Sequence, residues 1–299
     1  MDYVEFDREL PFNLTTMVVG FGGWIDAGEA ATGALRHLVR HLSAPRLAAM
    51  DPEEFFVFTQ ERPEVRMTAD GGRVIRWPRS EFFAWQPPDD RAGLLLFCGM
   101  EPHQRWRTYT KTFLDVAEQC GVKRIVSLGA LLAGAPHTRP TPVTGRSTDP
   151  EWQALLEEWG IYRRPSYEGP TGIATVLLDA ATRRGIPSLS FMGQAPHYLQ
   201  RAENPAVMQA LLMYVSRLLD LELNVSQFDE AVKVFRAQCD QAVAHNTSIQ
   251  THIRQLEQAY DATIDEASRP LRDEELNPDQ LMQELEDFLR EEREGGNMG

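Results

Sequence analysis

Residues 15–29 read TTMVVGFGGWIDAGE and decide the fold class. The first seven form an apolar, β-branched run that is typical of a buried strand, and Gly22 and Gly23 end it. Asp26 with Glu29 three residues later predicts a capped helix, which the apolar spacing extends to about residue 42. A strand, a glycine turn and a helix in this order begin a β-α unit.

The same alternation continues along the chain. Strands are predicted over 93–98, 123–130 and 187–192, and helices over 103–120, 150–159, 171–184 and 203–221. Within 52–90, short β-branched and aromatic segments with a turn at Asp70-Gly71 predict antiparallel strands that extend the sheet. A long loop is predicted over 131–149. Together these elements predict a three-layer α/β domain over residues 1–222, with a mostly parallel sheet.

A helical arm is predicted over residues 223–292. From 226 to 262 the apolar residues alternate at spacings of three and four, which is the heptad pattern of a helix that pairs with another helix. The partner helix can belong to the same chain or to another one, or the stripe can pack on its own domain. A capped amphipathic helix is predicted over 278–292, and residues 293–299 are predicted to be disordered. The candidate partner-binding residues are Phe228, Val232, Phe235, Asn246, Ile249, Ile253, Leu256, Leu281, Leu285, Phe288 and Leu289.

Composition excludes several classes of function. The 299 residues carry a formal net charge of −14, which disfavours nucleic acid and anionic membranes because both repel an acidic surface. No segment reads as a secretion signal or a membrane span, so the chain is expected to be cytoplasmic. The three cysteines lack zinc-site spacing, and Ile25 stands where a dinucleotide fingerprint requires glycine, so neither a metal nor a cofactor is expected.

Polar residues follow several predicted strands at their carboxyl ends, where α/β proteins place their sites. If the chain is an enzyme, the candidates for acid–base chemistry are Glu101, His137 and His197. Each candidate also has a structural interpretation; Asp26, for example, fits a helix cap as well as one half of a carboxylate pair. The candidate pocket residues are Trp24, Asp26, Glu101, Arg105, Arg139, Thr171, His197 and Tyr198.

Four short motifs resemble the proteasome assembly chaperone 2 family, in its actinobacterial branch. They are Gly23-Trp24-Ile25-Asp26-Ala27-Gly28, Glu101-Pro102 with Arg105-Trp106, Gly169-Pro170-Thr171-Gly172, and Ala195-Pro196-His197-Tyr198. The resemblance covers about residues 14–220. It implies a fold similar to purine nucleoside phosphorylases, no established catalytic residues, and a homo-oligomer, with a trimer favoured. Archaeal relatives can end in a hydrophobic-Tyr-x tail that docks on the proteasome; Asn297-Met298-Gly299 lacks that tyrosine, so docking by that route is not expected.

Two functions remain open from the sequence. The first is a chaperone-like protein that binds protein partners, with the proteasome as one possibility. The second is a hydrolase or phosphorylase-like enzyme for a small nucleoside- or sugar-like ligand. The first is favoured because no complete catalytic set is visible in the chain.

Overall fold

An eight-stranded mixed sheet with helices on both faces forms the centre of the fold. The computed structural model describes residues 2–267 apart from 12, 90, 165–166, 200–202 and 245, with side chains described up to residue 263. The strands are β1 (Val4–Phe6), β2 (Thr16–Gly22), β3 (Arg46–Met50), β4 (Glu64–Met67), β5 (Arg73–Arg76), β6 (Ser80–Trp85), β7 (Leu94–Met100), β8 (Arg124–Ala133), β9 (Val143–Ser147) and β10 (Ser188–Pro196). The helices are α1 (Ala30–His41), α2 (Trp106–Gln119), α3 (Pro150–Glu158), α4 (Ile173–Arg183), α5 (Pro205–Leu219), α6 (Asp229–Val243) and α7 (Thr247–Ala267).

The main sheet has the strand order β1-β3-β6-β7-β2-β8-β10-β9. Its four inner strands β7, β2, β8 and β10 are parallel, and the remaining four flank them in antiparallel pairs. Three of the seven neighbouring pairs are therefore parallel, and the prediction of a mostly parallel sheet was too broad. Antiparallel neighbours need no crossover helix, and in the described chain no helix lies between β3 and β6 or between β6 and β7.

Helices cover the sheet in the three predicted layers. On one face, α2 and α4 close an aromatic core around Phe97 and Phe113. On the other face, α1, α3 and α5 cover Val18, Val126 and Phe191. Both faces of the parallel strands are buried, which explains why these strands read as continuous apolar runs.

Two glycines are explained by the structure, one by its backbone conformation and one by the close packing of a helix. Gly23 has a φ of +125°, a conformation that side-chain-bearing residues avoid, and it turns the chain out of β2. At Gly193 in β10, a Cβ atom would lie 2.5 Å from Val207 in α5. Glycine here lets α5 pack directly on the sheet.

Two segments differ from the sequence-based prediction. The loop expected over 131–149 contains the end of β8 and all of β9, which pairs antiparallel with β10. Within 52–90, the Asp70-Gly71 hairpin is confirmed, but β4 and β5 form a separate two-stranded sheet instead of extending the main one. Phe55 and Phe56 are buried but lie outside any strand.

The arm is not one continuous helix over 226–262. A 3₁₀ turn (Val225–Phe228) leads into α6, which ends at Val243, and α7 begins at Thr247. The interruption has a local cause, because the Asn246 side-chain oxygen accepts a hydrogen bond from the Ile249 N–H at 3.1 Å. Asn246 is thus a helix cap and not a register-fixing residue inside a heptad seam. The predicted helix over 278–292 and the tail over 293–299 lie outside the described residues.

Candidate functional site

The carboxyl ends of the four parallel strands lie along one edge of the sheet, and the candidate residues follow them. Glu101 follows β7, Trp24 follows β2, His137 follows β8, and His197 follows β10. Because β7 and β10 are three strand spacings apart, about 14 Å, Glu101 and the histidines belong to separate clusters. The strand-end edge is defined here as these residues with the loop 134–142.

His137 is the centre of the first cluster. Its imidazole is 1% exposed, with Nδ1 2.7 Å from the Tyr198 hydroxyl and Nε2 3.1 Å from Oδ1 of Asp240 in α6. Burial raises the pKa of Tyr198 to about 12, so its phenol stays protonated and donates to Nδ1. The His137 backbone N–H donates to the same hydroxyl oxygen at 2.9 Å. Both ring nitrogens of His137 are therefore engaged.

His197 is held between the sheet and the arm. Its Nδ1 lies 3.1 Å from the Ala133 carbonyl oxygen, which can only accept, so Nδ1 carries the proton. Its Nε2 lies 3.1 Å from Nε2 of His252 in α7. Burial, followed by the neighbouring His197, lowers the pKa of His252. The two rings fit together when both are neutral, with His252 donating to His197.

Arg139 fastens the loop after β8 to α7. Its guanidinium donates to both carboxylate oxygens of Asp261, at 2.8 and 2.7 Å, and to Glu257 at 3.2 Å. Thr138 donates to the same Glu257 carboxylate. The hydrogen bonds from Arg139 lower the pKa of Asp261, so this carboxylate is charged at neutral pH. Arg139 therefore binds the chain's own arm and does not face an open pocket.

The space left between loop and arm is small. A cavity of about 10 Å³ is lined by the loop after β8, the end of β10, the start of α5 and Phe235 of α6. This volume corresponds to about one water molecule. It cannot hold a nucleoside or a sugar in the conformation described.

Glu101 belongs to a second cluster, at the start of α4. Its Oε1 accepts a hydrogen bond from the Ile173 N–H at 2.8 Å, and it caps α4 because the N-cap residue itself is Gly172. A Cβ on Gly172 would lie 3.0 Å from that oxygen and 3.8 Å from the Trp24 ring. Trp24 is 61% exposed beside this cap. The close approach of the Glu101 carboxylate thus explains the second glycine of the Gly-Pro-Thr-Gly motif, Gly172. Thr171 lies exposed next to it.

Of the two roles that the sequence allows for Asp26, the structure supports the helix cap. After a 3₁₀ turn, its carboxylate accepts from the N–H groups of Ala31 and Thr32 at 2.7 and 3.2 Å, and from the Thr32 hydroxyl at 2.5 Å. Burial raises the pKa of Asp26, and these hydrogen bonds oppose the rise. Glu29 pairs with Arg36 at 2.9 Å instead of completing a capping box. Asp26 therefore caps α1.

Arg105 lies apart from both clusters. It pairs with Glu54, and its guanidinium donates to the Tyr3 hydroxyl at 3.2 Å. These contacts place it beside β1 and the segment after β3. The structure therefore separates Arg105 from the strand-end residues with which the sequence grouped it.

The apolar face of the arm is turned towards its own α/β domain. Val232, Phe235, Cys239 and Ile253 are all buried, and Phe228 contacts His37 of α1 edge to face at 4.9 Å. Ile249 and Leu256 are partly buried. This is the alternative in which the stripe packs on its own domain; contact of these residues with a partner remains a prediction.

Four residues of the first cluster were not predicted. Asp240, His252, Glu257 and Asp261 all lie on the arm and contact the strand-end edge. A signal existed for two of them, because Glu257 and Asp261 are one helical turn apart and can face the same cation. In the described part of the chain, no group of three His, Cys, Asp or Glu side chains could hold a metal ion. Nor is any helix there long and apolar enough to cross a membrane.

Comparison with known proteins finds one family and several solved structures of this fold. The PAC2 family profile matches residues 20–243. A PAC2 family protein from Streptomyces avermitilis is 34% identical with a TM-score of 0.71, and the alignment covers 78% of this chain and 98% of that one. The proteasome-assembly chaperone homologue of Mycobacterium tuberculosis is 34% identical with a TM-score of 0.70, covering 80% and 100%.

A more distant structure shares the fold alone. Pyrococcus furiosus PbaB, an archaeal proteasome activator, is 19% identical with a TM-score of 0.65, and the alignment covers 80% of this chain and 97% of that one.

Proposed function

Because the chain belongs to the PAC2 family, we propose that it is a chaperone-like protein that binds other protein chains and acts as a homo-oligomer in the cytoplasm. Two similar structures support this proposal, one of a proteasome-assembly chaperone homologue and one of a proteasome activator. The proteasome core or its separate subunits are therefore the first partners to test. A phosphorylase-like trimer is the oligomer that the sequence resemblance implies.

The observation that carries the proposal is the covered part of the strand-end edge, at the ends of β8 and β10. In an α/β enzyme this edge holds the substrate, but here the chain's own arm occupies the part that carries both histidines. Asp240 and His252 engage the two histidines that acid–base chemistry would need. The cavity of about 10 Å³ between the loop and the arm has room for one water.

The enzyme alternative has one geometric argument in its favour. Tyr198, His137 and Asp240 form a hydroxyl–imidazole–carboxylate chain, which is the arrangement of an activated nucleophile. The electrostatics oppose this role, because burial raises the pKa of Tyr198 to about 12 whereas an activated hydroxyl needs a lowered one. Glu101, the third acid–base candidate, caps α4 across the sheet.

Direct binding tests the proposal. The full chain is mixed with purified actinobacterial proteasome core particles, and separately with their isolated subunits, and complexes are measured by sedimentation velocity. Saturable binding at a fixed ratio to the core or to one subunit type supports an assembly or activator role. No complex with any of them at micromolar concentrations would overturn the link to the proteasome.

A ligand screen tests the alternative on the same full chain. Thermal unfolding is measured with nucleosides, phosphate, sugars and amino acids, since a ligand at 100 times its Kd stabilises by about 2.7 kcal/mol. His137→Ala is the site variant, and His41→Ala, which changes an exposed histidine on α1, is the matched control. A shift present in wild type and in His41→Ala but lost in His137→Ala would favour the enzyme.

A further inference from the structure

The hairpin formed by β4 and β5 has one strongly apolar face. The register pairs Val65 with Ile75 and Met67 with Arg73, so these four side chains share a face. Val65, Met67 and Ile75 are 62%, 65% and 55% exposed. Trp77, two residues beyond Ile75, packs on Phe58 at the base of the hairpin with ring centroids 4.8 Å apart. We call this surface, made of Val65, Met67 and Ile75, the hairpin face.

Within the described part of the chain, no element covers the hairpin face. An isolated two-stranded sheet is marginally stable in water and gains stability when a third element covers its apolar side. The positive charge around the hairpin favours a covering element that is acidic. Residues 62–79 contain five arginines and two acidic residues, a net charge of +3 in a chain of net −14. Among the described residues, no carboxylate lies within ion-pair distance of Arg73 or Arg76.

We propose that the hairpin face is the docking site of the chain's own segment 278–292. That segment has the complementary sequence, with six acidic residues and one arginine, a net charge of −5. Its apolar stripe runs from Leu281 to Leu289, about 12 Å along a helix at 1.5 Å per residue. Each four-residue strand of the hairpin is about 13 Å long. The stripe and the hairpin face therefore match in polarity, charge and length.

The connection is long enough for docking within one chain. The hairpin lies between β3 and β6, and Ser80 at the start of β6 pairs with Gly99 at the carboxyl end of β7. The hairpin thus leaves the sheet at the same edge where α7 contacts the residues after β8 and β10. From β10 to β3 the sheet measures five strand spacings, about 24 Å. Residues 268–277 can span up to about 33 Å.

Site-specific photocross-linking of the full chain tests the proposal. p-Benzoylphenylalanine replaces Phe288 on the apolar stripe, and the matched control places it at Gln283 on the opposite side of the predicted helix. After irradiation of a dilute sample, mass spectrometry identifies the linked peptides. We expect a link from position 288 to residues 64–77 at the mass of a single chain, several-fold above the position 283 control. Links elsewhere, links to the hairpin of a second copy at twice the mass, or none above the control would overturn it.

Variants of the hairpin make the test reciprocal. Val65→Thr with Ile75→Thr removes apolar surface but keeps β-branched residues, so the hairpin is retained. Val74→Thr, on the opposite face of the hairpin, is the matched control. Amide exchange of residues 64–76 checks that the hairpin is formed in each variant. The position 288 cross-link should fall several-fold in the double variant and stay unchanged in the control; an unchanged yield in both would refute the docking.

Discussion

Replacing Ile253 with alanine tests how α7 is held on the α/β domain. Ile253 is 6% exposed and is the buried residue among the described side chains of α7. Truncating a buried isoleucine to alanine costs about 2–5 kcal/mol. The other contacts that hold α7 include the Arg139–Asp261 ion pair, which is partly exposed and therefore contributes about 0–1 kcal/mol to stability. Most of the free energy that holds α7 in place should thus be lost with this side chain.

The expected result is local release of α7 with an intact sheet. Each 1.4 kcal/mol changes an equilibrium tenfold, so a loss of 2 kcal/mol or more should speed amide exchange in α7 by about 30-fold or more. Amides of β2 in the core should exchange as in wild type. Hydrogen exchange read by mass spectrometry on the full chain resolves the two regions.

The matched control is Val234→Ala, which truncates a β-branched residue that is 46% exposed on α6. It should change stability by less than about 0.5 kcal/mol. Unchanged α7 exchange in Ile253→Ala would refute the argument that this side chain anchors the helix. Equal acceleration in β2 and α7 would refute the argument that α7 opens as a separate unit.

Three further predictions concern the clusters at the strand ends. Burial lowers the pKa of His252, so the docked arm favours the neutral imidazole. The stability of α7 docking should therefore be constant above the ordinary histidine pKa of about 6.5 and decrease as the pH falls below it. His252→Gln should flatten this pH dependence when it is measured by amide exchange of α7. Asp26→Ala removes the acceptor of two backbone N–H groups and should lower the free energy of urea unfolding by about 1–3 kcal/mol, with a smaller loss in Asp26→Asn; a wild-type value in the alanine variant would contradict the capping role. Glu101→Ala should cost about 1 kcal/mol through the lost cap of α4, and Glu101→Gln should recover part of it; equal losses in both would show that the hydrogen bond to Ile173 is not the cause.

The inner strands and most helices were predictable because their signals are local. A continuous apolar run indicates a buried parallel strand, and Asn204 before Pro205 marks the start of α5 as the structure has it. Strands β1, β3 and β9 were not predicted because they lack such local signals. Residues 46–50 read RLAAM, a composition that favours a helix, and become β3 through pairing with β1 and β6.

The candidate site was half predictable. The sequence indicated His137, Arg139, His197 and Tyr198 because they follow strands, and the structure does place them along one edge. Their partners on the arm lie 103, 122 and 55 residues away in the chain for His137, Arg139 and His197. No local pattern reports a contact over such distances. Asn246 was misread because a single polar residue in an apolar repeat fits a seam as well as a cap. The end of α6 at Val243 and the hydrogen bond from the Ile249 N–H to Asn246 distinguish the two.

The buried state of the arm also limits how a partner can use it. A partner that binds the apolar face of α6 and α7 must first release Val232, Phe235 and Ile253 from the α/β domain. Each such side chain contributes about 1.5–3 kcal/mol on burial, so release of all three costs about 5–9 kcal/mol. That cost reduces the apparent affinity by a factor of about 10³ to 10⁶. A partner of the folded chain should therefore bind a surface other than the buried face of the arm. Ile253→Ala should then leave partner binding unchanged in sedimentation velocity; a clear loss of binding in Ile253→Ala would identify the arm as the capturing surface.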